Sequence, residues 1–247
     1  MQIESAELSL LGDREQNQDR SRIALDNEVV FLVIIDGMGG HAEGERAAET
    51  AAKAMLDHFW QTSRPILDPQ GFLHIAVSRA HDEVVRIGAG QTLDVRPRAT
   101  CAACVVQNGT AHWAHVGDSR VYLLRKGAVH ERTRDHSHVE VLLREGLITE
   151  DEVPGHPMRN FVECCLGGDA ALPEMSVTNT RKLSPGDVLV LCTDGFWANL
   201  DEASVASLGD GNEAPLAVRL AALGRQAVKS SSPYSDNTTA IALRWQG

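Results

Sequence analysis

The segment Val29–Ile35, followed directly by Asp36-Gly37, constrains the fold of this chain more than any other. Seven apolar residues stand in a row there, most of them β-branched or aromatic. A run this short and this rich in strand-forming residues predicts a β-strand that is covered on both faces. We expect the strand to end on Asp36, where packed backbone would hold the carboxylate rigidly. The glycines at 37, 39 and 40 would let the backbone turn sharply and approach a ligand closely.

The same design recurs, because aspartates stand at the ends of further predicted strands. Taken alone, each is commonly a turn former or a helix cap. Several at strand ends are expected to converge on one edge of the sheets, together with Asp19 from the polar N-terminal loop. The aspartates at strand ends are Asp36, Asp118, Asp194 and Asp236.

Carboxylates that converge repel one another unless cations neutralise them. A site built from oxygen ligands, without histidine or cysteine, selects hard ions such as Mg²⁺ or Mn²⁺. A carboxylate between two such ions suits the hydrolysis of a phosphate ester by metal-bound hydroxide. The aspartate pattern therefore predicts metal-dependent phosphate chemistry.

Composition and charge indicate which partners and which cellular compartment to expect for this protein. The chain has 247 residues, 43% of them hydrophobic, and a net charge of −11. The negative charge argues against non-specific binding to nucleic acid or to an anionic membrane. The N-terminal segment does not resemble a signal peptide, and no apolar run approaches the roughly 18 residues of a membrane span. Five cysteines, an odd number, indicate free thiols in a reducing compartment, and we expect a cytoplasmic protein.

Two of these cysteines, Cys101 and Cys104, form a C-x-x-C pair that could bind a metal or take part in redox chemistry. They lie in a strand-like segment, where residues three apart point to opposite faces. Neither a metal nor a redox role is therefore expected for them.

Hydrophobic periodicity predicts two packed sheets with helices outside, in one domain over residues 1–247. Residues 135–160 are polar and rich in histidine, and a flap over the site is expected there, at about residues 137–160. Predicted helices cover residues 42–60, 71–87, 201–208 and 216–228. Predicted strands cover residues 3–10, 21–25, 29–35, 100–106, 111–116, 121–124, 175–177, 188–192 and 238–245, with a short one near Val129.

Five motifs in order carry a family resemblance that spans essentially the whole chain. They closely resemble the protein phosphatase 2C family, the metal-dependent (PPM-type) serine/threonine protein phosphatases, in its compact bacterial branch. The motifs are Arg14-x-x-Asn17-Gln18-Asp19, Asp36-Gly37-Met38-Gly39-Gly40-His41, Gly117-Asp118-Ser119-Arg120, Thr193-Asp194-Gly195 and Asp236-Asn237.

The resemblance implies an α+β fold, a four-layer αββα sandwich of two antiparallel sheets between helix pairs. It implies two Mn²⁺ or Mg²⁺ ions, with Asp36 bridging them and the Gly37 carbonyl binding the second. Asp194 and Asp236 would complete the first metal site, and Asp118 with Asp194 would form a third. Arg14 would grip the substrate phosphate, which suits a guanidinium fork.

Two departures from the family pattern bear on the chemistry. Gln18 stands where many relatives have glutamate, so Asp19 is expected to carry the acidic role as a metal ligand. Met38 stands where eukaryotic relatives have a histidine proposed as the general acid. Methionine cannot donate a proton to the leaving group. His41, three residues on, is a candidate acid, and a metal-bound water or a simple helix cap at His41 are the alternatives.

The function that the resemblance implies is hydrolysis of phosphoserine and phosphothreonine in proteins, without a phosphoenzyme. The expected partners are phosphorylated targets of a bacterial serine/threonine kinase, and a monomer is expected. One alternative is a phosphatase of the haloacid-dehalogenase type, with Asp36 as nucleophile. That chemistry expects a second acid at position 38, which is methionine here. The other is a catalytically inactive module that binds phosphopeptides.

Overall fold

The computed structural model describes residues 1–38, 42–211 and 214–247. Within them, strands form two antiparallel sheets. One sheet contains β2 (Asp19–Asp26), β3 (Val29–Met38), β4 (Arg98–Gln107), β5 (Thr110–Val116), β8 (Leu166–Gly167), β9 (Ser176–Val177) and β10 (Arg181–Lys182). The other contains β1 (Ile3–Leu10), β6 (Arg120–Arg125), β7 (Ala128–Arg132), β11 (Val188–Cys192) and β12 (Thr238–Trp245).

Strand β3 lies inside its sheet, paired with β2 on one side and β4 on the other. Alternate side chains of the strand enter two different cores. Phe31 and Val33 join the core shared with helices, whereas Leu32 and Ile34 join the core between the two sheets. The prediction of a strand buried on both faces is therefore confirmed. Cys101 and Cys104 also fall into different cores, and both are fully buried free thiols.

Helices cover the outer face of each sheet. Two long helices pack on the β3 sheet, and the helices of the C-terminal third pack on the β12 sheet. This is the four-layer arrangement predicted from the sequence. The helices are α1 (Ala42–Gln61), α2 (Pro69–Ile87), α3 (His138–Arg144), α4 (Asp194–Trp197), α5 (Glu202–Ala206) and α6 (Leu216–Ser231). None of the described helices is long and apolar enough to span a bilayer.

Two strand boundaries near the aspartates of the site differ from the sequence prediction. Strand β3 continues through Asp36 and Gly37 to Met38, because these residues pair with β4 up to Arg98. Asp19 is not in a loop but is the first residue of β2, where it lies opposite Asp36. Pairing with a neighbouring strand keeps the backbone extended past the point where the apolar run ends.

The polar segment 137–160 leaves the sheets between β7 and β8. Ser137 begins it and caps α3, and a 3-10 helix follows at Glu150–Gly155. Its two ends meet where Ser137 pairs with Val162 in an isolated β-bridge. That this segment acts as a flap, and that the chain is one domain, stay predictions.

Candidate functional site

A cleft of about 640 Å³ contains most of the residues that the sequence singled out. Asp19 does not line the cleft: it is almost fully buried, and its Oδ2 accepts a hydrogen bond of 3.0 Å from Thr193 Oγ1. His41, the candidate acid, lies outside the described residues. The predicted site residues that line the cleft are Arg14, Asp36, Gly37, Asp118, Asp194 and Asp236.

Backbone pairing brings the carboxylates together. The β2–β3 ladder sets Asp19 opposite Asp36. Asp194 begins α4 directly after β11, and its carboxyl group lies within hydrogen-bonding range of Asp36. Asp118 follows β5 in the turn before β6 and is 8% exposed. The ends of the strands therefore bring Asp19, Asp118 and Asp194 close enough to Asp36 for their charges to act on its carboxyl group.

Burial of these carboxylates raises their pKa values. Burial, opposed by hydrogen bonds from Thr239 and Thr193, raises the pKa of Asp19 to about 7. Burial and the neighbouring Asp236 raise the pKa of Asp194 to about 6. The pKa values of Asp36 and Asp118 lie well above the usual aspartate range, because burial and the surrounding carboxylates both disfavour the ionised form. Bound cations would reverse this penalty.

The donor set fits hard divalent ions, because it offers carboxylate and carbonyl oxygens that are crowded together and at least half-buried. As the side chains lie, however, no three His, Cys, Asp or Glu side chains of the described residues surround a single point at which an ion could sit. Asp236 provides one reason. Its Oδ2 accepts a hydrogen bond from Arg14 Nη2 at 2.7 Å, and its Oδ1 accepts one from the backbone N–H of Asn237 at 2.8 Å. Asp236 would have to turn away from Arg14 to bind an ion.

Asn237 fixes the loop that carries Arg14, a role the sequence did not reveal. Its Nδ2 donates to the carbonyl oxygens of Leu11 at 2.8 Å and Gln16 at 3.0 Å. Its Oδ1 accepts a hydrogen bond from the backbone N–H of Gln18 at 2.8 Å. One buried amide side chain therefore holds both sides of the loop. The sequence singled out Asn237 only as part of the Asp236-Asn237 motif, and that motif does not predict contacts with the N-terminal loop.

Trp197 supports the turn at Asp118, which sequence reasoning also missed. Its Nε1 donates to the Asp118 carbonyl oxygen at 2.9 Å. The Arg120 guanidinium lies 3.3 Å from the centre of the Trp197 ring and is held by Asp135 through two hydrogen bonds of 2.8 and 2.7 Å. This stack fixes the backbone around Asp118, the predicted ligand of a third metal ion.

The raised pKa of Asp19 predicts how the stability of the protein depends on pH in the presence of EDTA. A carboxyl group with a folded-state pKa of about 7 and an ordinary value of 3.8 favours folding at low pH. Its contribution is complete below the ordinary value and is lost as the pH rises through the folded-state value. We expect the unfolding temperature of the wild type to fall, relative to an Asp19→Asn variant, between about pH 4 and pH 7. Calorimetry across this range measures the difference, and a constant difference would contradict the assignment.

Comparison with known proteins identifies the family. The model of the family described as protein phosphatase 2C matches residues 9–226. The chain belongs to the protein phosphatase 2C family. Among protein phosphatase 2C relatives, "Protein phosphatase PhpP" of Streptococcus pneumoniae is 31% identical over 96% of both chains.

Solved structures agree with this membership of the protein phosphatase 2C family. A serine/threonine phosphatase of S. agalactiae superimposes with a TM-score of 0.89 at 26% identity, covering 99% of this chain and 100% of that one. The catalytic domain of the serine/threonine protein phosphatase PstP, solved in complex with two manganese ions, gives a TM-score of 0.80 at 25% identity, with 99% of each chain covered. The predicted fold and family are therefore confirmed.

Proposed function

We propose that this protein hydrolyses phosphoserine and phosphothreonine in other proteins, using two Mn²⁺ or Mg²⁺ ions held by the cleft. The observation that carries the proposal is the group of buried and half-buried carboxylates that faces the cleft, with Arg14 at its rim. Two relatives support it: PhpP is named a protein phosphatase, and the PstP catalytic domain was solved with two manganese ions.

In this proposal Asp36 would contribute to both ion sites and the Gly37 carbonyl oxygen to the second. Asp194 and Asp236 would help to hold the first ion, and Asp118 with Asp194 would hold a third. Asp19, which lies opposite Asp36 in the β2–β3 ladder, would add its carboxylate to this set of ligands. When bound, such ions would supply an activated water as nucleophile and would offset the negative charge on the phosphate oxygens. No side chain becomes bonded to phosphorus.

Arg14 binds the phosphate of the substrate. Its side chain is 57% exposed and reaches the cleft from a loop held in place by Asn237. A guanidinium group presents parallel N–H donors that match two phosphate oxygens. In the structure Arg14 is paired with Asp236, so phosphate and metal would each take one member of this pair. Arg14 and Asp236 would thus exchange partners when phosphate and metal bind.

The substrates in this proposal are phosphorylated proteins in the cytoplasm, the products of a bacterial serine/threonine kinase, and the enzyme acts as a monomer. The net charge of −11 supports a protein substrate over nucleic acid or an anionic membrane.

The experiment that tests the function is turnover of p-nitrophenyl phosphate with Mn²⁺ and then with EDTA. We expect turnover with the metal, complete loss with EDTA and recovery when Mn²⁺ is restored. A phosphate group trapped covalently on Asp36 would favour an aspartyl nucleophile instead. No turnover, combined with binding of a phosphopeptide, would favour an inactive binding module.

A further inference from the structure

A second cavity, of about 670 Å³, lies beside the cleft and under the segment 137–160. Helix α3 and the 3-10 helix form one side of it, and Trp197 forms part of the other. Asn160 lines both this cavity and the cleft, so the two are neighbours. We call it the arginine groove, after the arginines that line it: Arg120, Arg132, Arg134, Arg144 and Arg159.

The arginine groove is positively charged in a protein that is strongly negative overall. Five arginines line it against three acidic residues, whereas the whole chain has a net charge of −11. Two of the acidic residues are already matched: Asp135 binds Arg120, and Glu140 lies 3.6 Å from Arg134. Arg132 lies 3.7 Å from Glu202, which does not line the groove. Arg144 and Arg159 then remain against Glu150, so a net positive charge is left for a ligand.

Arg144 and Arg159 are the most available of these cations. Both side chains are exposed, and neither makes an ion pair with any residue in the described part of the chain. Arg159 Nη1 donates to the Pro154 carbonyl oxygen at 3.1 Å, which orients the guanidinium without neutralising it. Two guanidinium groups that have no ion-pair partner among the described residues, and that lie beside a cavity, are suited to binding carboxylates.

The floor of the arginine groove is apolar. Val139 is buried there, and Leu143, Ile148 and Val153 are partly exposed to the groove. An apolar floor with a charged rim fits a length of polypeptide better than a free small anion, because the peptide can bury side chains against it as well as pair its charges.

We propose that the arginine groove binds acidic residues next to the phosphorylated residue of the substrate protein, and so sets sequence preference. This inference rests on the proposed function, since it assumes that the cleft holds the phosphorylated residue. An extended chain advances about 3.3 Å per residue, so residues three or four positions away lie about 10 Å or more from the phosphate. Because the groove adjoins the cleft at Asn160, such residues leave the cleft directly into the groove.

The test compares two phosphoserine peptides of equal length with the full chain. One has three glutamates on each side of the phosphoserine, and the other has glutamines at the same positions. We expect kcat/KM to be about tenfold higher for the glutamate peptide, and this preference to shrink as salt rises, because salt screens exposed charges. The double variant Arg144→Gln, Arg159→Gln should lose most of the preference and keep full turnover of p-nitrophenyl phosphate.

Arg225→Gln is the matched control, because Arg225 is an exposed arginine on α6 that lines neither cavity. It should keep the wild-type preference. Equal kcat/KM for the two peptides in the wild type, or an unchanged preference in the double variant, would overturn the proposal while leaving the phosphatase assignment intact. Fluorescence anisotropy of labelled peptides gives a second reading that needs no turnover: the glutamate peptide should bind about tenfold more tightly to the wild type than to the double variant. Equal affinities of the wild type and the double variant for the glutamate peptide would refute the proposed role of the groove, even if the protein proved inactive.

Discussion

An Asp194→Asn variant is expected to lose at least about a thousandfold in turnover of p-nitrophenyl phosphate with Mn²⁺. The reason is that an amide cannot supply the negative charge that a divalent ion requires, and metal stabilisation of the transition state is worth several kcal/mol. Steady-state kinetics with saturating Mn²⁺ measures the effect. The variant should fold normally, since asparagine has the same shape as aspartate and can remain within hydrogen-bonding range of Asp36.

Two observations separate a chemical role of Asp194 from a structural one. In EDTA the variant should unfold at a temperature no lower than the wild type, because burial and neighbouring charges already disfavour the Asp194 carboxylate. An Asp57→Asn variant, which changes an exposed carboxylate on α1, should keep full activity. Retained turnover in Asp194→Asn would refute the metal assignment of this residue.

Gly37→Ala is expected to destabilise the protein by at least about 3 kcal/mol, which lowers the unfolding temperature by about 6 to 12 °C. A Cβ atom at Gly37 would lie 2.0 Å from the carbonyl oxygen of Gly44 in α1 and 2.8 Å from that of Gln18. Both obstacles are backbone atoms, so relief requires the helix or the strand to move. Because Asp36 is the adjacent residue, that movement should also displace it and lower turnover.

Gly155→Ala is the control, because a Cβ atom there meets no atom within 4 Å. It should leave the unfolding temperature and turnover close to those of the wild type. Differential scanning calorimetry with and without Mn²⁺ distinguishes the two variants. A Gly37→Ala variant as stable as Gly155→Ala would show that α1 can shift away from β3 at little cost.

The sequence predicted those features that follow from local pattern. The apolar run 29–35 predicted a strand covered on both faces, and β3 does divide its side chains between two cores. Helical periodicity placed α1 correctly to within one residue at its C-terminal end. The recurrence of aspartate at strand ends predicted convergence, and these side chains do line a common cleft.

Features that depend on distant pairing could not be read from the sequence. The extended conformation of Asp36 and Gly37 is imposed by β4, and the place of Asp19 in a strand is imposed by β3. The ion pair between Arg14 and Asp236 joins residues 222 positions apart, and local periodicity carries no information on such a contact. For the same reason, the sequence did not reveal the role of Asn237.

The most direct measurement of the central claim is a crystal structure of the protein grown with Mn²⁺, with anomalous scattering recorded at the manganese edge. Our account predicts two strong anomalous peaks in the cleft, both within coordination distance of Asp36, with Asp194 and Asp236 on the first ion and Asp236 turned away from Arg14. A cleft without manganese peaks, or peaks found only among carboxylates elsewhere on the protein, would contradict it.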